Sequence, residues 1–337
     1  MKKLLAIFLS LTFLMTVCVA ASADAQDETT FGAYKHVYII GVDGAGTFFE
    51  NDYMTNFHRI FENGAVKYGA RTETKTDSGP NWTSILTGVS YFKHGAENGV
   101  VGGEQKRVFK RYPSIFSYVH NAMPETELAS INNWGAINIG IVEDDIGVTK
   151  ISIGPDDATV DAIVNYFNEG HSPALFFTQL DEVDAAGHAH GSASAEYEEA
   201  MKAADERIGI IYDCLEEKGL LEDGLFIVTA DHGHKETGGH GRFSKIESYS
   251  TIAVAGKTVV SGGEMDKDVK LRDVAAISLY ALGVESDEWS FTARVPGNLF
   301  QDVKGKMRPY YRDIIDLICG EIMWIYTNLG HPFDEYF

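Results

Sequence analysis

Three cysteines, eight prolines and a shortage of positive charge define what this 337-residue sequence does without. Cys18 lies in the N-terminal apolar run, which leaves only Cys214 and Cys319, far apart in sequence. Two cysteines are too few for a disulfide-stapled scaffold or a thiolate metal site; one Cys214–Cys319 bridge and two free thiols both stay open. Lys and Arg number 28 against 49 Asp and Glu, a net charge of −21. Such a surface repels polyanions, so a nucleic-acid polymer is not an expected partner. A small phosphate ester can still bind where cations reverse the local field. Internal repeats, low-complexity tracts and a Pro/Ser-rich linker are also missing.

What is present begins with Met1-Lys2-Lys3, the apolar run Leu4–Ala20 and the small-residue pairs Ala21-Ser22-Ala23 and Ala23-Asp24-Ala25. That layout predicts a signal peptide over residues 1–25, hence export to a periplasmic or extracellular location without stable membrane insertion. Retention as an anchor, with lipidation at Cys18, is the alternative. The chain is 45% hydrophobic, enough for a large core. Apolar, β-branched runs at Val37–Val42, Ala174–Leu180 and Leu225–Ala230 stop abruptly at acidic residues and read as buried strands. Between them, Met201, Ala204, Ile208 and Ile211 recur at helical spacing within Ser194–Leu215. Strands alternating with helices predict an α/β fold, three layers α/β/α around a largely parallel sheet, with ligands at the carboxyl ends of the strands. Residues 26–300 form the expected catalytic domain. Residues 301–337 form a C-terminal extension in which Ile314–Tyr326, interrupted by Asp316 and Glu321, predicts an amphipathic helix docked on the domain or on a second copy in a homo-oligomer. The Gly-, Lys- and Arg-rich stretch Asn98–Arg111 predicts a surface loop near the site.

Four segments carry candidate chemistry. Asp43 closes the first strand; by itself, an aspartate before glycine is usually a turn former. In Asp77-Ser78-Gly79-Pro80-Asn81-Trp82, Pro80 permits a helix start and Ser78 stands just ahead of it. Ser78 is either a plain N-cap or a hydroxyl placed where a helix N-terminus favours an alkoxide and binds phosphate. Asn81-Trp82-Thr83 also fits the N-glycosylation pattern, by chance in such a position. Asp184-Ala185-Ala186-Gly187-His188-Ala189-His190 follows a strand and is a polar loop or a ligand cluster. Asp231-His232-Gly233-His234, with Gly239-His240-Gly241 behind it, fits metal binding through carboxylate and imidazole. So many strand-end aspartates and histidines would be costly buried polar groups unless cations held them.

The ordered set Val-Asp-Gly, Ser-x-Pro-Asn-Trp, Leu-Thr-Gly, Lys-His-Gly, Asp-x-x-Gly-His, Ala-Asp-His-Gly and Gly-His-Gly resembles the alkaline phosphatase superfamily, in its type I phosphodiesterase/nucleotide pyrophosphatase branch. The likeness runs from about Lys35 to Phe300 and includes Tyr112-Pro113-Ser114-Ile115-Phe116 and the segment from Arg272-Asp273-Val274 to Leu282-Gly283. The resemblance implies an alkaline phosphatase-like fold and an exported phosphoric ester hydrolase with two divalent metal ions, zinc first and manganese second. It implies Asp43, Asp231, His232 and the oxygen of Ser78 on one ion, and Asp184, His188 and His240 on the other. Ser78 would be the nucleophile of a phosphoseryl pathway. Asn98 would touch the substrate phosphate, though it stands one residue closer to His94-Gly95 than the pattern expects. His94 would be structural, and His190 and His234 supporting or surface residues. The expected substrate is a small phosphate ester such as a nucleotide. A diester is favoured because no arginine falls in a matched motif, Arg242 being closest to a ligand, and Phe48, Phe49 and Trp82 would face the second ester group. A Ser nucleophile where nucleotide pyrophosphatases use Thr keeps a phosphomonoesterase as the alternative. A sulfatase, lacking its Pro-x-Arg pattern here, and a non-catalytic binding protein stand behind it.

Overall fold

The computed structural model describes residues 30–301 apart from 104–107, 264, 266–267 and 287–290. The signal peptide over 1–25, Cys319 and nearly all of the extension 301–337 therefore lie outside the described residues. Seven strands, β1 (His36–Val42), β2 (Ala65–Arg71), β3 (Leu128–Asn132), β4 (Thr149–Ser152), β5 (Leu175–Leu180), β6 (Gly224–Thr229) and β7 (Tyr249–Ala255), form one sheet in the order β2-β7-β6-β1-β5-β3-β4. The five strands from β6 to β4 pair in parallel, whereas β7 runs antiparallel to both of its neighbours.

The apolar runs form strands because both of their faces are covered. Val37 and Ile39 of β1, Leu175 and Phe177 of β5, and Leu225 and Ile227 of β6 point into one core. Their neighbours Tyr38, Ile40, Phe176, Phe226 and Val228 point into the other, as the twofold alternation of a strand requires. Seven helices matter here: α1 (Thr55–Phe61), α2 (Ser78–Thr87), α3 (Ile115–Ala122), α4 (Asp156–Asn168), α5 (Glu182–His190), α6 (Ala195–Glu217) and α7 (Asp273–Leu282). Residues of α2, α3 and α7 close the first core, and residues of α1, α4 and α6 close the second, giving the three layers. Helix α6 realises the predicted periodicity, burying Met201, Ala204, Ile208, Ile211 and Leu215. Its N-cap Ser194 accepts a hydrogen bond from the Tyr197 amide at 3.1 Å. Among the described residues, no helix is long and apolar enough to cross a membrane.

Three local readings are corrected. The helix around Pro80 begins two residues earlier, at Ser78, with Asp77 as N-cap, so Ser78 is its first residue and not the cap. Residues from Glu182 through His190, where the sequence left a polar loop or a ligand cluster open, form a helix, and this puts Asp184 and His188 one turn apart on the same face. Within Asn98–Arg111, Asn98–Val101 and Val108–Lys110 are helical turns.

Candidate active site

Strand register brings the acidic residues together. β1 lies between β5 and β6, with Val42 opposite Leu180 and Gly41 opposite Thr229. Asp43, Asp231 and the start of α5 therefore leave three adjacent strands at one level. Helix α2 supplies Ser78 from above the sheet, and a Cβ at Gly41 would stand 2.4 Å from the Trp82 ring. That close approach lets the buried indole lie over β1 and reach Asp43.

Hydrogen bonds then sort the ligand atoms. Asp43 Oδ2 accepts from Trp82 Nε1 at 2.8 Å and Gln179 Nε2 at 3.0 Å, which leaves Oδ1 free toward Ser78 Oγ at 3.4 Å and His232 Nε2 at 3.5 Å. Asp231 Oδ1 accepts from the amides of Gly44 at 3.0 Å and His232 at 2.9 Å. Its Oδ2 is buried without a hydrogen-bond partner and lies 3.3 Å from His232 Nε2. Ser78 Oγ is 3.3 Å from the same nitrogen. Next to this group, His240 Nδ1 donates to the Thr76 carbonyl at 2.7 Å, so its Nε2 is free, 3.0 Å from His188 Nε2 and 3.5 Å from Asp184 Oδ1. His188 Nε2 is 3.4 Å from Asp184 Oδ2. The His232 and His240 rings stack with centroids 3.9 Å apart, joining the two groups.

Burial, followed by the nearby Asp231 and Asp184 carboxylates, pushes the Asp43 carboxyl well above its usual range. Burial likewise raises Asp231 to about 8, against the pull of the Gly44 amide. It holds the His232 imidazole well below its usual value, with His240 adding to the effect. Two desolvated carboxylates and a neutral imidazole, one oxygen of them orphaned, are unfavourable unless a cation is shared among them. Oxygen and imidazole donors without thiolate fit zinc or another first-row divalent ion. Asp43, Asp231 and His232 form one group able to hold an ion, and Asp184, His232, His234 and His240 another.

Every predicted ligand residue thus arrives at one place, with His188 half-exposed at its rim. Asn98 arrives too, its Oδ1 accepting from the Gly79 amide at 2.7 Å. His190 is exposed. His94 is turned away: its Nδ1 accepts from the Ala96 amide at 2.9 Å and its Nε2 lies 2.9 Å from Ser84 Oγ. Burial, then the Arg272 charge, lowers it to about 3, so it stays neutral as a structural residue would. Asn81 is fully buried, donating to the Lys75 and Asp77 carbonyls at 2.8 and 2.9 Å, which places it in the helix start and not on a surface sequon.

The aromatic platform is corrected. Trp82 and Phe49 are fully buried, Phe49 stacking on Phe57, and Phe48 packs edge-on against Tyr197; they belong to the cores. Sequence reasoning missed Gln179 and understated His234, which is fully buried with Nε2 2.8 Å from Asp184 Oδ1. A polar residue near the end of the apolar run Leu175–Leu180 was the available signal for Gln179. Replacing Trp82 with Phe removes one of two donors to a buried carboxylate, an expected cost of about 1–3 kcal/mol. It should also loosen metal binding by roughly 10- to 100-fold in a competition titration. Unchanged metal affinity would remove Trp82 from this role.

Comparisons with known proteins bear on the fold and the family. Human bis(5'-adenosyl)-triphosphatase ENPP4 is 26% identical over 217 residues, 58% of this chain and 46% of the human protein. The match thus spans about half the length of that relative. Murine ectonucleotide pyrophosphatase/phosphodiesterase 5 superposes with a TM-score of 0.63 at 13% identity, covering 76% of this chain and 99% of that one. An inactive variant of the same murine protein in complex with AMP superposes with a TM-score of 0.61 at 13% identity, covering 77% and 99%. Both show the shared fold. A family model described as type I phosphodiesterase/nucleotide pyrophosphatase matches residues 116–295, more than half of the chain, and the chain belongs to that family.

Proposed function

We propose that this chain is an exported hydrolase of phosphodiester or pyrophosphate bonds. It would act through a phosphoseryl intermediate on Ser78 beside two divalent metal ions, zinc being the first choice. The observation that carries the reading is the convergence of Ser78 Oγ on Asp43 Oδ1 at 3.4 Å and His232 Nε2 at 3.3 Å, at the first turn of α2. Asp43, Asp231, His232 and Ser78 would hold one ion, and Asp184, His188 and His240 the other. Bound ions would supply the positive charge that makes a serine hydroxyl acidic enough to attack and that offsets charge on the phosphoryl oxygens. Ser78 Oγ bonds to phosphorus as the bond to the departing alcohol or phosphate breaks. Water then displaces Ser78, restoring its hydroxyl and releasing the phosphate product. The names of the relatives, a bis(5'-adenosyl)-triphosphatase and an inactive variant of a nucleotide pyrophosphatase/phosphodiesterase in complex with AMP, support a nucleotide as substrate.

Charge at the rim favours a diester. Holding a monoester dianion calls for a guanidinium fork. Arg71 is paired with Asp268 and Arg272 with Glu73, while both oxygens of Glu97 hold Lys75, at 2.7 and 2.8 Å. Arg242 is exposed. With its Oδ1 committed to the Gly79 amide, next in sequence to Ser78, Asn98 would have its NH2 group to offer the phosphate as a neutral donor. The Trp134 amide is fixed on Gln179 Oε1 at 2.8 Å, and Gln179 in turn holds Asp43. The half-buried indole of Trp134 itself packs against the first core.

The test is a turnover panel of bis-nitrophenyl phosphate, nitrophenyl thymidine monophosphate, nitrophenyl phosphate and nitrophenyl sulfate. The diesters are expected to lead. A tenfold preference for nitrophenyl phosphate with a severe loss in Arg242→Ala would establish the monoesterase, preference for sulfate a sulfatase, and no turnover by metal-loaded protein a binding role. Asn98→Ala is expected to lower kcat/KM for the diesters by roughly 10- to 100-fold, the effect of removing one hydrogen bond to developing charge. A change below threefold would show that Asn98 does not meet the phosphate.

A further inference from the structure

We propose that His234 is a positioning residue: its Nε2–H holds Asp184 Oδ1 so that Oδ2 is the oxygen offered to the second metal ion. The proposal rests on the reading of Asp184 as a ligand. Each of the other two carboxylates follows one rule, in which N–H donors occupy one oxygen and leave the second free. Trp82 and Gln179 do this for Asp43, and the Gly44 and His232 amides do it for Asp231. Asp184 resembles those two carboxylates through His234, whose Nε2 stands 2.8 Å from Oδ1, while Oδ2 faces His188 Nε2 at 3.4 Å; Oδ1 also lies 3.5 Å from His240 Nε2, so the ordering rests on the short bond from His234. A carboxylate oxygen can only accept, so the hydrogen belongs on Nε2.

The opposite assignment, His234 as a metal ligand through Nε2, would put the hydrogen on Nδ1. That atom is buried and has no hydrogen-bond partner among the described residues. Ligating imidazoles characteristically donate their other N–H, as His240 does to the Thr76 carbonyl at 2.7 Å and His232 can to the Gly233 carbonyl at 3.3 Å. His234 lacks that partner. The ring is also fixed in place: a Cβ at Gly187 would lie 2.4 Å from it and one at Gly44 2.7 Å. Two chain segments thus leave out a side chain to admit this histidine, and Ser192 Oγ donates to its carbonyl at 2.8 Å.

The amides of Gln and Asn separate the two assignments, because a Gln nitrogen reaches the Nε2 position and an Asn nitrogen falls short of it. Zinc per protein is measured across graded free-zinc buffers for wild type, His234→Gln, His234→Asn, His234→Phe and, as a ligand control, His240→Gln. The wild type is expected to hold two ions, and His234→Gln to match it within about threefold, since the donor is kept. His234→Asn and His234→Phe should need roughly 10- to 100-fold more free zinc for one ion while the other is unchanged. Loss in His234→Gln as complete as in His240→Gln would make His234 a ligand and overturn the proposal, as would wild-type binding in both His234→Asn and His234→Phe. A wild type that saturates below two ions would instead defeat the two-ion reading beneath it.

Discussion

Ser78→Ala is expected to lower hydrolysis of bis-nitrophenyl phosphate by about four orders of magnitude or more, because the variant lacks the atom that forms the covalent bond to phosphorus. Stability should hardly move. The one hydroxyl hydrogen is shared between two distant acceptors, Asp43 Oδ1 at 3.4 Å and His232 Nε2 at 3.3 Å; the remainder of α2 is anchored by Trp82 and Asn81. A shift within about 1 kcal/mol is the scale for one weak hydroxyl hydrogen bond. Metal content should fall little, since Asp43, Asp231 and His232 remain. Phosphorylated Ser78 trapped by acid quench of the wild type, and absent from the variant, would confirm the covalent route. More than about a thousandth of wild-type turnover in the variant would mean that water attacks phosphorus directly and that Ser78 only lines the site.

The parts of the fold that were legible were those where one residue type does one job. β1, β5 and β6 are buried on both faces and read as predominantly apolar runs. β4 is four residues with no fully buried position, and β2 is mostly half-buried; neither leaves an apolar run to find. Helix α5 was not legible as a helix because Asp184-Ala185-Ala186-Gly187-His188 has no apolar stripe. Its first turn is instead fixed from a distance: the buried Asp156 carboxylate accepts from the Asp181 and Glu182 amides at 2.9 and 3.0 Å and thereby caps a helix to which it does not belong. No local pattern carries that information. The candidate ligands were legible because Asp and His at strand ends are chemically conspicuous. Their supports were not: Gln179 and Trp82 resemble ordinary core residues until the partner of each N–H is known.

Removing the metal should produce the second large effect, in which activity and stability fall together. Dialysis against a chelator is expected to abolish turnover and to lower Tm on the order of 5–10 °C. Ligand at about 100 times its Kd contributes roughly 2.7 kcal/mol, and each kcal/mol moves Tm about 2–4 °C in a domain of this size. Zinc, or manganese if that is the working ion, should restore both. Asp231→Asn adds a test of the cause. Oδ1 must stay with the Gly44 and His232 amides, so the new NH2 takes the place of the orphaned Oδ2, 3.3 Å from His232 Nε2, and donates to it. A buried carboxylate that burial disfavours is thereby exchanged for a neutral group with a partner. Metal-free Asp231→Asn should therefore melt no lower than metal-free wild type, and metal should stabilise it far less than it stabilises the wild type. Turnover should be lost by several orders of magnitude. This reversal follows only if Asp231 is kept as a charged group for an ion and contributes nothing to the fold by itself. A metal-free variant that unfolds well below metal-free wild type would show that Asp231 is structural, and that the orphaned oxygen is not where an ion binds.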